Sequence, residues 1–435
     1  MLNLENIFHK KKILIYGLGK SGLSAYRFMK KNNDLSLYDD QIKLHDKKIK
    51  KLFLTYKELV KKKFDYIIIS PGIDINKCSL NFFLKKNLKK IYTDLDIFYS
   101  LYKDNQKITI TGTNGKSTTA KILYDVLKDQ NRDVRLVGNI GSPILLETNI
   151  KNKTIFVIEA SSYQLEYSKL FKSNISLILN ITPDHLDRHR NINNYIKAKF
   201  KLIKQQTKSD IAILNTKNIY IKREIKLRSF LPLIIKVHQH VDDNFIKKIN
   251  NKYFTTAGNK ENLTFVLKVA TILKLKKNLL LKTLRKFKGL RFRQETIYES
   301  KNLRIINDSK ATSFSSSETL LRSLNNVYWI VGGLPKIGDK LLLTKNNDKK
   351  INAYVFGLNQ YFFINKLKNK IRYQSFLDLK SLINKVFLDI KNDKSLTHKT
   401  ILFSPASASF DNFKNFEERG RYFNKLIKKY LNGKI

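Results

Sequence analysis

Residues 107–129, "KITITGTNGKSTTAKILYDVLKD", constrain the fold more than any other stretch of the chain. A short β-branched run ends in a glycine turn, and the residues that follow carry apolar side chains at helical spacing. Strand, glycine loop and helix in that order aim backbone N–H groups and the positive end of a helix dipole at one point. That is a phosphate cradle. Gly112 and Gly115 allow close approach to the backbone, Lys116 offers a point charge, and Ser117 or Thr118 offers a hydroxyl for Mg²⁺. The loop is shorter than G-x-x-x-x-G-K-[ST]: only Thr113 and Asn114 separate its glycines.

The same alternation runs through the whole chain. "ILIY" (13–16) precedes "GLGKSG", and "YIII" (66–69) precedes "SPGI". In the middle, "TIFVIEA" (154–160), "ISLILNI" (175–181) and "IAILN" (211–215) are bounded by turn residues. In the last third, "RIINDS" (304–309), "VYWIVGG" (327–333), "AYVFG" (353–357) and "ILFSPA" (401–406) repeat the pattern. Strands alternating with helices predict parallel sheets covered by helices, with ligands at the carboxyl ends of strands. At roughly 150 residues per domain, 435 residues make about three domains. Polar or turn-rich breaks put the cuts near 104 and 296.

The formal net charge is +48, from 84 Lys and Arg against 36 Asp and Glu. Such a surface attracts polyanions, and a nucleic-acid-stimulated ATPase is one class it allows. The lysines are, however, spread along the chain, and runs such as "KKNLKK" (85–90) read as solvated helix faces. Lys, Asn and Ile are abundant throughout, which marks compositional drift, so no nucleic-acid partner is expected. The one cysteine, Cys78, rules out an intrachain disulfide and fits a reducing cytoplasm. No run nears about 18 apolar residues, so no membrane insertion is expected. The start, "MLNLENIFHKKKILIYGLGKSG", breaks off in glycines too soon for a signal peptide.

Two more side chains stand at predicted strand ends beside the phosphate loop. Glu159 closes "TIFVIE", and His185 follows "ISLILNI" in "TPDHLDRH". A carboxylate and an imidazole near nucleotide phosphates can hold Mg²⁺, with water and phosphate oxygens completing the shell. The helix "YIKAKFKLI" (195–203) offers Lys197, Lys199 and Lys201, and its spacing does not choose between them. Near the start, "GLGKSG" (17–22) matches G-x-G-x-x-G, and Asp39 follows "LSLY" where a ribose-binding acid would stand. Alone this allows a nicotinamide-dependent oxidoreductase, but such an enzyme leaves the second phosphate loop unexplained.

Together, "TGTNGKST", "EASSYQLE", "NITPDHLDRH", "NDSKAT" and "SPASASFDNFKNFEERG" resemble the Mur ligase family, the ATP-dependent amino-acid ligases of peptidoglycan precursor synthesis. The motifs run from residue 17 to about 420. The last is the most selective, and it points to the members that add D-glutamate to UDP-N-acetylmuramoyl-L-alanine (UDP-MurNAc-L-Ala). The resemblance implies an α/β fold of three domains: a Rossmann-like UDP-binding domain (1–104), a P-loop ATPase with a mainly parallel sheet (105–295), and a Rossmann-like amino-acid-binding domain (296–435). It implies a cytoplasmic monomer acting on small molecules.

By the same resemblance, Gly17, Gly19, Asp39, Ser70 and Gly72 would hold the uridine diphosphate, and Asn139 would contact the muramoyl substrate. Asn259 and Asn262 would lie near adenine, with Arg293 and Asp308 near the phosphates and ribose. Lys310, Thr312, Lys336, Ser409 and Phe416 would surround D-glutamate and the reacting phosphate. The family pattern of Tyr, then Lys four residues on, lands on Tyr195 and Lys199, and assigns Lys199 a carbamate derived from CO₂. Carbamylation needs a neutral amine and turns a cation into an oxygen ligand. Ser117, Glu159, His185 and carbamylated Lys199 would then hold a pair of Mg²⁺ ions, with Lys116, His185 and Lys199 catalytic. From the residues alone, Arg293 passes for a surface charge and Phe416 for ordinary helix core. The chain departs from the family's common patterns at Gly258 (often His), at Leu290-Arg291-Phe292-Arg293 (often Leu-Pro-His-Arg), at Ser313 (often Asn) and at Ser407 (often Cys).

Overall fold

The computed structural model describes residues 7–41, 49–239, 241–336, 339–343 and 350–433. Ile337 and Gly338 of "GGLPKIGD" lie outside the described residues. The chain divides into two compact units: Met1–Val241 with Asn262–Leu284, and Asp242–Glu261 with Arg285–Ile435.

The first unit contains two sheets. β1 (Lys12–Tyr16), β2 (Asp34–Tyr38), β3 (Tyr66–Ile69) and β4 (Ile91–Tyr92) form one, parallel throughout, in the order β2-β1-β3-β4. Successive side chains of β1 point to opposite faces. Leu14 and Tyr16 join Ile67 and Ile69 in one core cluster, and Ile13 and Ile15 join Leu37 and Ile68 in another. Burial on both faces is why β1 reads as an unbroken apolar run. The second sheet comprises β5 (Lys107–Thr111), β6 (Val134–Gly138), β7 (Ile155–Glu159), β8 (Ile175–Ile178), β9 (Ile211–Asn215) and β10 (Leu233–Val237). It is parallel throughout, in the order β10-β9-β8-β5-β7-β6.

The second unit contains the third sheet: β11 (Glu295–Glu299), β12 (Leu303–Asn307), β13 (Val327–Gly332), β14 (Ile351–Phe356), β15 (Arg372–Phe376) and β16 (Lys399–Phe403). The order is β11-β12-β16-β13-β14-β15. Tyr328 and Ile330 pack on one face, and Trp329 and Val331 on the other. β11 pairs antiparallel with β12, an exception to the parallel sheets expected from the alternation. It is joined to β12 by a short turn, which a parallel crossover could not use.

The run "ISLILNI" is strand only as far as Ile178. The residues after it leave the sheet to hold the phosphate loop. The lysines of "KKNLKK" are exposed, as expected of a solvated face. Among the described residues, no helix is long and apolar enough to cross a membrane.

Candidate active site

The strand order reverses around β5, with β8 on one side and β7 on the other. A crevice therefore opens at the carboxyl end of β5. The register sets Glu159 beside both Ile110 and Gly138, at the rim of that crevice. The loop after β5 is tied to the chain leaving β8. Thr113 N–H donates to the Asn180 carbonyl (2.9 Å), and Asn114 N–H donates to Asn180 Oδ1 (2.8 Å). Thr113 Oγ1 accepts from Thr182 N–H (3.0 Å) and lies 3.1 Å from the Tyr195 hydroxyl. Gly115 has φ +83°, and a Cβ there would sit 2.1 Å from Asn262 Oδ1. Only glycine meets both conditions. The helix Lys116–Asp129 starts at the next residue, with Ser117 and Thr118 buried in its first turn.

Two lysines converge on one carbonyl. Lys116 Nζ donates to the Gly112 carbonyl (2.8 Å) and the Thr113 carbonyl (2.7 Å), and Lys199 Nζ donates to the Gly112 carbonyl (2.8 Å). Lys199 is 1% exposed. Burial pushes its amine well below the ordinary lysine range, and the Lys116 charge adds to that, while Asp184 and Glu159 oppose it. Of the three lysines on its helix that the sequence left level, Lys199 alone is fully buried; Lys201 is half-buried and Lys197 exposed. Close by, Ser117 Oγ donates to Glu159 Oε2 (2.6 Å), and Asn139 Nδ2 donates to Glu159 Oε1 (3.0 Å). Among the described residues, no group of three or more His, Cys, Asp or Glu is placed to hold a metal. A cation here would draw on the Ser117 hydroxyl and other oxygens as well as on Glu159.

His185 adopts a left-handed backbone (φ 55°) at the start of the short helix Leu186–His189. Its Nδ1 lies 2.9 Å from the Tyr163 hydroxyl, and its Nε2 lies 3.5 Å from Asp184 Oδ2. Its ring stands 6.3 Å from that of Tyr195, which touches the phosphate loop. His189 behind it is buried, with Nε2 3.0 Å from Ser162 Oγ. Burial and the Arg188 charge push it down to about 4, so it is neutral at pH 7.

At the end of β1 the first glycine loop is equally closed. Ser70 Oγ donates to the Gly17 carbonyl (2.5 Å), and a Cβ on Gly22 would lie 1.8 Å from that oxygen. The Asp39 carboxylate accepts from Leu18 N–H (2.5 Å) and Gln41 N–H (2.8 Å). Gly17, Ser70 and Asp39 thus form one cluster. Gly19 and Gly72 border open space, since a Cβ at either would meet nothing within 4 Å.

In the second unit, Asp308 is buried at the end of β12, where Ser404 Oγ donates to its Oδ2 (2.9 Å). Burial pushes its carboxyl up to about 7, against the charges of Arg293 and Arg419. Arg293 is half-buried, so it is no simple surface charge. Phe416 departs from ordinary helix core: it is the first residue of the helix Phe416–Leu431 and only half-buried, with Lys310 Nζ 4.0 Å from its ring centroid. Ser309 Oγ donates to the Phe416 carbonyl (2.9 Å). Ser409 is buried; Thr312 and Lys336 are half-buried.

A residue missed by sequence reasoning joins these loops. Arg419 is fully buried and donates to Ser309 Oγ, the Ser309 carbonyl, Ser407 Oγ, the Ser407 carbonyl and the Ala408 carbonyl at 2.7–3.3 Å. Ser407, a departure from the family pattern, also donates to the Gly332 carbonyl (2.5 Å). Asn180 was likewise overlooked. Its signal was its place at the end of the strand next to β5.

The sequence pattern of the Mur ligase middle domain matches residues 110–273. The UDP-N-acetylmuramoylalanine--D-glutamate ligase of Rickettsia prowazekii (strain Madrid E) is 34% identical, over 98% of this chain and 99% of that protein. The ligase of the same name from Rickettsia bellii (strain RML369-C) is 33% identical, over 97% and 98%. Among solved structures, MurF ligase from Thermotoga maritima in complex with ADP has the same fold, with TM-score 0.57 and 15% identity over 99% of this chain and 98% of that one. On 34% identity along nearly the full length of both proteins, the chain belongs to the Mur ligase family.

Proposed function

We propose that this chain is an ATP-dependent ligase that joins D-glutamate to UDP-MurNAc-L-Ala in peptidoglycan precursor synthesis. The activity in the relatives' names supports the choice of substrates. The chemistry is supported best by one observation: two lysine amines meet at the Gly112 carbonyl beside the buried Ser117–Glu159 pair.

The alanyl carboxylate would attack the γ-phosphate of ATP, giving ADP and an acyl phosphate. The amine of glutamate would then attack the acyl carbon, and inorganic phosphate would leave. A carboxylate is a poor electrophile, and phosphorylation supplies its leaving group. The protein's part is positioning and charge neutralisation. Lys116 would neutralise the transferring phosphoryl group, and the N–H groups of residues 112–118 would orient ATP. Asn259 and Asn262 would take the adenine, with Arg293 and Asp308 toward the phosphates and ribose. Gly17, Gly19, Asp39, Ser70 and Gly72 would hold the UDP end, and Asn139 the muramoyl part. Lys310, Thr312, Lys336, Ser409 and Phe416 would orient D-glutamate. Residues 1–104, 105–295 and 296–435 would be the corresponding domains of a cytoplasmic monomer.

The donor chemistry fits Mg²⁺. Ser117 and Glu159 offer hard oxygens 2.6 Å apart. Together with His185 and a carbamate on Lys199 they would hold a pair of ions, which supply charge stabilisation to phosphoryl oxygens when bound. The buried amine of Lys199, biased toward its neutral form, is what reaction with CO₂ requires. A carbamate there would also set a negative charge beside Lys116, an attraction the neutral amine does not offer.

A phosphate-release panel tests the proposal. UDP-MurNAc-L-Ala is combined with D-glutamate, L-glutamate, meso-diaminopimelate or L-lysine. Release should require both UDP-MurNAc-L-Ala and D-glutamate. Hydrolysis stimulated by DNA or RNA, or release with another amino acid alone, would refute it.

A further inference from the structure

We propose that Gln294 is a positioning residue that sets purine selectivity by fixing the side-chain amide of Asn259; this rests on the ATP-ligase reading above. Between Leu290 and Glu295 the chain makes a tight excursion before β11. Phe292 (φ 61°) and Gln294 (φ 50°) are both in the left-handed region, uncommon for side chains of this size. Three contacts hold Phe292 there. Its ring packs so closely on Gly420 that a Cβ at Gly420 would come within 2.3 Å of it. Its N–H donates to Glu295 Oε2 (2.8 Å), and its carbonyl accepts from Lys310 N–H (3.0 Å). Gln294 is then pinned by its own N–H, which donates to Asp308 Oδ1 (3.1 Å).

From this fixed backbone the Gln294 side chain reaches Asn259. Asn259 Nδ2 donates to the Tyr253 carbonyl (2.8 Å) and to Gln294 Oε1 (3.3 Å). A backbone carbonyl only accepts, so the orientation of the Asn259 amide is determined by its partners. Both amide hydrogens are used, and the group that remains for a ligand is Oδ1, an acceptor. Adenine carries an amino donor at its 6-position, where guanine carries a carbonyl acceptor. Asn259 held this way matches adenine and opposes guanine. Without Gln294 one of its two restraints is gone.

The test uses the full chain with Gln294→Gly and Gln294→Glu. Glycine removes Oε1 and also relieves the left-handed backbone, so the fold is kept. Gln294→Gly should raise the ATP KM about three- to tenfold, the range expected for loss of one hydrogen bond. It should leave kcat nearly unchanged and lower the preference for ATP over GTP by a similar factor. Gln294→Glu keeps an acceptor and should stay near wild type in both. A purely structural role would move only the melting temperature. A wild-type ATP KM and purine preference in Gln294→Gly would overturn the proposal, as would Gln294→Glu behaving like Gln294→Gly. If the wild-type chain releases no phosphate with both substrates, it is the ligase reading that fails. Calorimetric titration of the same variants with ADP and GDP then reads selectivity directly, and unchanged selectivity there also overturns the proposal.

Discussion

Gly115→Ala probes how tightly the phosphate loop is built, and its cost has two separable parts. The backbone at φ +83° is left-handed, which costs an alanine about 1–2 kcal/mol. The new Cβ would lie 2.1 Å from Asn262 Oδ1, far inside van der Waals contact. The Asn262 side chain must swing away, at about 0.5–1.5 kcal/mol if it leaves its rotamer. The sum is about 1.5–3.5 kcal/mol of stability. The loop's N–H groups shift as well, and a displacement of about 1 Å costs roughly a hundredfold in rate. Urea unfolding of Gly115→Ala, Asn262→Ala and the double variant separates the two parts. Asn262→Ala removes the clash but not the backbone strain, so the cycle should show a coupling of about 1 kcal/mol. Phosphate release by the single variant measures the loop displacement. A Gly115→Ala protein as stable and as active as wild type would refute this account, and a cycle with no coupling would refute the steric part.

Lys116→Ala should lower ATP turnover by about a thousandfold or more in the phosphate-release assay, since the transferring charge loses its cation; near-normal turnover would remove the phosphate-loop assignment. Lys199→Ala should be nearly inactive and partly restored by a small carboxylate such as acetate or formate, whereas full activity without rescue would remove the carbamate. Asp308→Asn should change the pH dependence of stability. The native carboxyl holds its proton up to about 7 while the unfolded one ionises near 3.8, so wild-type stability falls as pH rises across that window, by up to about 4 kcal/mol. The Asn variant should lack that fall in urea titrations between pH 4 and pH 8, and parallel curves for the two proteins would contradict the buried, protonated state.

Which strands were legible follows from where they lie. β1, β3, β5, β7, β8, β9, β12, β13, β14 and β16 all show as apolar runs in the sequence. β4, β6, β10 and β15 were not anticipated, and each is at the edge of its sheet. An edge strand has no need to be apolar on both faces. β15, "RYQSF", has four exposed residues out of five, so no hydrophobic period is left to read. The antiparallel direction of β11 depends on a partner strand and a turn, and neither leaves a period in the sequence.

The site divides along the same line. Side chains carried by a glycine loop or a strand end were readable because the local pattern sets their place: Lys116, Ser117, Glu159 and Asp39. Lys199 was not readable from its helix, because burial is a property of what packs over it. Arg419 was hidden most completely, as one of 84 basic residues in a chain where a surface charge is the default. Its five hydrogen bonds all go to serine or carbonyl oxygens, none to a carboxylate. Burial lowers its guanidinium only to about 10, so it stays charged at pH 7. Asp411 offsets part of that charge, and the nearby Asp308, whose carboxyl is pushed up to about 7, offsets less. A fixed positive charge therefore lies under the loops that carry Lys310 and Ser409. Because its hydrogen-bond partners are neutral, the part of its field that Asp411 and Asp308 leave acts on those loops, where the carboxylates of the proposed amino-acid substrate would need a cation.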